Sequence, residues 1–164
     1  MTDLSPTLTS IDALAYEGIT ILNQLNALLD QELEALKSRE IDLIRSINLE
    51  KQTVLSQFDQ NNYSRAEHLI KIGLPVSKDG LDTLVAQSQN KALVTQFRSH
   101  WSDLESILKT TMDANQRNEQ VLMRNSQNID KLLSVLRGQK TSNSLYTAKG
   151  AKGNYTGQSH IGKA

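Results

Sequence analysis

Between Ile11 and Phe58, apolar or small side chains recur at steps of three, four or seven: Ile11, Ala15, Gly18, Leu22, Leu25, Leu29, Leu36, Leu43, Ile47, Val54 and Phe58. That period is helical, since a strand would alternate in twos. Ser5 stands where a helix N-cap is favoured, and Pro6 follows in the first turn, where a missing N–H costs nothing. The pattern predicts one helix over about Ser5–Phe58, roughly 80 Å long at ~1.5 Å per residue. Such a helix is not stable alone in water. Its stripe must be covered by another helix.

A second stripe supplies the cover. It runs through Leu93, Phe97, Trp101, Leu104, Leu108, Thr111, Asn115, Asn118, Leu122, Asn125, Ile129, Leu132 and Leu136, with Gly138 placed to end it. Between the stripes, "DQNN" reads as a break. "SRAEHLIKIGLP" reads as a short helix capped by Ser64 and closed by Gly73 and Pro75. "VSKDG" reads as a turn, and helical periodicity resumes with an irregularity near Ser88. Two long stripes joined by a compact connector predict an all-α fold. Its form is a long antiparallel helical hairpin, a coiled-coil-like bundle with short connecting helices and a flexible C-terminal tail. Residues 1–137 form the bundle and 138–164 the tail. Trp101, on the stripe with Phe97 and Leu104, is expected to pack against the first long helix or the connector.

The tail differs in composition from everything before it. From Gly138 onward the chain holds five of its eight glycines, four lysines and no acidic residue. The body carries 14 basic against 18 acidic residues, so its charge is −4 and the tail's is +4. The tail has little apolar material to offset its ordering entropy, so it orders on a partner. Tyr146 and Tyr155 offer large contact area at low rotamer cost, and Leu145 strengthens the first.

Much chemistry is excluded. There is no cysteine, and His68, His100 and His160 are scattered, without a partner at catalytic spacing. No Gly-rich phosphate loop follows a strand, and no EF-hand spacing occurs. The chain is expected to be no enzyme and to use no cofactor or metal. The acidic body and sparse tail lysines argue against nucleic acid. No run approaches the ~18 apolar residues of a membrane span, so no stable membrane insertion is expected. No secretory signal is visible before the first helix, and the lack of cysteine fits a reducing cytosol. Asn115, Asn118 and Asn125 interrupt the second stripe. A buried Asn there fixes helix register, while an exposed one offers a partner a polar notch. Both readings stand.

The residues together resemble a known family. "LLDQELEALKSREIDLIRSINLEKQTVLSQF" is similar to the first helix of FlgN-type flagellar export chaperones. "NQRNEQVLMRNSQNIDKLLSVLRG" is similar to that family's Asn-rich stretch and leucine-rich helix end, and "SLYTAKG" to its Leu-Tyr-x-x-x-Gly element. The resemblance implies a cytosolic, non-enzymatic chaperone. It would bind hook-associated flagellar proteins of the hook–filament junction, keep them unpolymerised and deliver them to the flagellar type III export apparatus. Asn115, Asn118 and Leu122 fall on the Asn-rich stretch, and Tyr146 and Gly150 on the tail element. Asn125, Leu145 and Tyr155 complete the expected partner-binding set. The extension after Gly150 departs from the pattern. The alternatives are a structural coiled-coil protein and a secreted type III protein.

Overall fold

The computed structural model describes residues 2–137 in full and the backbone of 144–146 and 152–154. Its elements are α1 (Ser5–Ser38), α2 (Ile41–Lys71), α3 (Lys78–Ala86), α4 (Lys91–Leu136), β1 (Ser144–Tyr146) and β2 (Lys152–Asn154). The fold is an all-α bundle. The chain divides into two units, residues 1–121 and 122–164.

In the first unit the expected 54-residue helix is two helices. The break falls at Arg39, which takes the left-handed conformation at φ 59° and ψ 36°. The N–H of Glu40 returns to the carbonyl of Ala35 at 3.1 Å, closing the end of α1 as a glycine would. The reversal brings Leu28 and Ala35 of α1 onto Ile47 of α2, with Ile44 and Val54 beside them. The apolar period runs through the turn unbroken, so periodicity alone joined two helices into one.

The "DQNN" stretch lies inside α2 and does not break it, and Ser64 is interior and not a cap. Asn61 is buried, its Nδ2 donating to the carbonyl of Leu14 at 2.9 Å. Gly18 permits this approach, because a Cβ there would stand 3.0 Å from Asn61 Oδ1. Asn61 meets the start of α1 and Ile47 its end, so α1 and α2 are antiparallel. These two helices form the hairpin. The pairing expected between the first segment and residues 93–137 has the other direction along α1: Asp12 meets His100 and Leu29 meets Asn118, so α1 and α4 run parallel. The turn at Arg39 is the reason, since α2 carries the chain back before α4 begins.

The return is made by α3. Ser77 caps it, its Oγ accepting from Gly80 N–H at 3.4 Å. Helix α3 ends at Ala86, and Asn90 Oδ1 accepts from Leu93 N–H at the start of α4, which accounts for the irregularity near Ser88. The N-terminus is tied to this joint. Asp3 Oδ1 accepts from Ser5 N–H and Oγ–H, and Ser5 Oγ accepts from the N–H groups of Gln89 and Asn90. Asp3 thus does the capping expected of Ser5.

The core has a lower cluster of Leu8, Ile11, Leu69, Leu84 and Phe97. Above it lies a second, of Ala15, Leu22, Leu25, Leu29 and Leu104. Trp101 packs against both, as expected of its place on the stripe. In the second unit, α4 continues to Leu136, and β1 pairs antiparallel with β2, Tyr146 opposite Lys152. No strand is expected there from the sequence.

Candidate partner-binding surface

Helix α4 changes character along its length. Up to Asn118 its inward positions are filled. Asp12, buried in α1, accepts from Gln96 Nε2 at 2.7 Å and lies 2.7 Å from His100 Nδ1. Asn118 is 1% exposed. Its Nδ2 donates to the Leu29 carbonyl at 2.7 Å and to Glu32 Oε1 at 3.4 Å, and its Oδ1 accepts from Arg117 Nε. Glu32 is also paired with Lys51 of α2. Asn118 therefore does what a buried seam Asn does: it locks three helices in one register. Asn115 is exposed and donates to Glu119, one turn on.

Beyond Val121 the apolar positions are open. Leu122 is 56% exposed, Ile129 50% and Leu136 82%, and Leu132 and Leu133 are exposed with them. At 100° per residue, Leu122, Ile129, Leu133 and Leu136 share one narrow stripe, with exposed Leu132 and half-buried Asn125 at its edge. An exposed apolar stripe of this kind on a water-facing helix is a candidate surface for a protein contact.

Leu122 and Asn125, expected as partner-binding residues, lie here, and so do Ile129, Leu132 and Leu136, expected as seam. Nothing in the periodicity distinguishes a covered stripe from an uncovered one. Leu145 and Tyr146 lie on β1, opposite Gly153 and Lys152. Gly150 and Tyr155 lie outside the described residues. Among the described residues there is no cluster of three or more His, Cys, Asp or Glu side chains that could hold a metal ion, and no helix is long and apolar enough to cross a membrane.

The fold is a helical bundle, and the last helix carries an open apolar stripe. The model of the FlgN protein family matches residues 7–154 of the chain. The chain belongs to the FlgN family, a flagellum-associated family of chaperone type. It is similar to the 1.48 Å crystal structure of a protein assigned as the flagella synthesis protein FlgN of Pseudomonas aeruginosa. The identity is 30%, over 74% of this chain and 90% of that one, with a TM-score of 0.61. No curated protein matches.

Proposed function

We propose that this protein is a cytoplasmic flagellar export chaperone and no enzyme. It binds hook-associated proteins, keeps them unpolymerised and passes them to the flagellar type III export apparatus. The observation that carries the reading is the open stripe of Leu122, Ile129, Leu133 and Leu136. A subunit that polymerises through amphipathic helices aggregates unless its apolar face is covered, and a second amphipathic helix covers it by side-by-side packing. Leu145, Tyr146, Gly150 and Tyr155 extend the same contact beyond the helix. The lysines of that segment speed encounter with acidic partners more than they tighten the complex.

The experiment compares the full chain with one ending at Val121, each titrated calorimetrically with a purified hook-associated protein. Retained helicity and loss of binding support the reading. Full affinity in the shortened chain overturns it. An open stripe also suits pairing with further copies of the chain, as in a structural coiled-coil protein. Sedimentation of the full chain as extended oligomers that ignore the hook-associated protein decides for that second reading.

A further inference from the structure

A groove of about 730 Å³ opens between α2, α3 and α4, lined only by residues between Ile11 and Glu105. Its lining includes Leu69 and Phe97 from the lower core cluster, with Leu81 and Val85 of α3 packed beside them. Trp101 forms a wall, its ring tilted against Phe97 with centroids 5.6 Å apart. Arg65 stands in the same lining although it is only 7% exposed. Its guanidinium lies 5.5 Å from the centroid of Trp101 and 5.8 Å from that of Phe58. Its Nη2 donates to Asn62 Oδ1 at 3.1 Å, while Nε and Nη1 donate to no acceptor among the described residues. Burial lowers the pKa of this group from its ordinary value, yet a guanidinium stays charged. A buried charge with unpartnered donors is costly unless something pairs with it.

We propose that this groove is a docking site for a peptide segment of a partner protein, one that brings a Leu- or Phe-type side chain together with a carboxylate. The apolar side chain fits against Leu69, Leu81, Phe97 and Trp101. The carboxylate supplies the acceptor that Arg65 lacks, in a charge-assisted hydrogen bond made as the buried guanidinium turns toward the groove. The balance of the lining favours an anion. Lys78 and Arg98 join Arg65 against Asp82 and Glu105, and Glu105 already accepts from Trp101 Nε1 at 2.9 Å. Trp and Arg, both present in this lining, are the residue types enriched at the anchoring points of protein interfaces. The site lies wholly within the unit of residues 1–121 and is independent of the stripe on α4.

Trp101 is the chain's single tryptophan, so all tryptophan emission comes from a residue that lines this groove. The test titrates the full chain with acetyl-Leu-Leu-Phe-Glu-amide, with its Gln counterpart, and with decanoate. The Glu peptide is expected to shift Trp101 emission saturably and to bind about tenfold more tightly than the Gln peptide, the equivalent of ~1.4 kcal/mol. Arg65→Met keeps the apolar stem and should abolish that preference. If its circular dichroism shows misfolding, Arg65→Lys replaces it and should reduce the preference. Equal binding of the two peptides, an unresponsive Trp101, or a preference undiminished in the variant that is scored overturns the proposal. A response to decanoate without one to the Glu peptide overturns the peptide assignment.

Discussion

Asn118 Nδ2 stands 2.7 Å from the backbone carbonyl oxygen of Leu29. This bond joins the middle of α4 to α1 in a parallel arrangement. Through Glu32, which also accepts from Asn118 and pairs with Lys51, it reaches α2 as well. One buried amide thus fixes the axial alignment of three helices. Just beyond it, α4 carries apolar residues that are left open.

Asn118→Ala removes the donor and leaves the Glu32 carboxylate with Lys51 alone. Urea unfolding should show a loss of about 1–3 kcal/mol, the cost of disturbing a buried hydrogen-bonded group. An unchanged midpoint would show that the register is held elsewhere.

Arg39 is the one non-glycine residue with positive φ among the described residues. An L-residue pays roughly 1–2 kcal/mol for that conformation, and glycine pays less there but loses more entropy on folding. Arg39→Gly should therefore stabilise the bundle by about 0.5–1 kcal/mol, read as a raised melting temperature. A lowered one would mean that the Arg39 side chain itself holds the turn.

These two residues also show what the sequence could and could not disclose. The helical period and the apolar identity of the core were legible, because burial of one helix face is written directly into residue spacing. The turn at Arg39 was not, because it uses neither Gly nor Pro and leaves the period intact. "DQNN" misled in the opposite sense. Its polar residues look like a loop, but Asn61 is buried and its Nδ2 donates to the Leu14 carbonyl across the space left by Gly18, while its Oδ1 has no partner among the described residues. With the first turn hidden, the direction of α4 against α1 was hidden too. At the binding surface, the Asn residues were visible as interruptions of the stripe. Only packing could tell Asn118, spent inside the bundle, from Asn115 at its surface. Arg65 gave no sequence signal at all, since its interest lies in donors that burial leaves open.

Gly80 has no room for a side chain. A Cβ added there would lie 1.9 Å from the carbonyl oxygen of Pro75. Gly80→Ala must shift the turn before α3, and should cost about 1–3 kcal/mol despite the better helix propensity of Ala. Thermal unfolding checks this. A neutral effect would show that the Pro75–Lys78 turn yields freely.

The Asp3 carboxylate accepts from the Ser5 hydroxyl, from Gln89 N–H and from Ser5 N–H, which together hold its pKa below the ordinary 3.8. A depressed folded-state pKa means stability that is present above the unfolded value and lost as pH falls through the folded one. The difference in melting temperature between wild type and Asp3→Asn should therefore be constant near neutrality and shrink as the pH drops below 3.8. A difference that persists at the acid end would assign the effect to packing and not to charge.

The open stripe on α4 predicts a separation between stability and binding. Ile129, Leu133 and Leu136 are exposed, so replacing all three by Ser removes no core contact. Serine is a poorer helix former by a few tenths of a kcal/mol per position, so some fraying of this helix end is expected. Unfolding of the 1–121 unit should keep its midpoint, because Leu8, Leu22, Leu29 and Leu104 in its core are untouched. Affinity for a hook-associated protein should fall by more than about tenfold, as is usual when several central apolar anchors of an interface are lost. Any weak self-association of the chain should fall with it, since the same face would mediate both. Calorimetric titration and sedimentation on the triple variant read both effects. Wild-type affinity with a lowered unfolding midpoint is the reverse of this expectation. It would move these three leucine and isoleucine side chains from the binding surface into the fold.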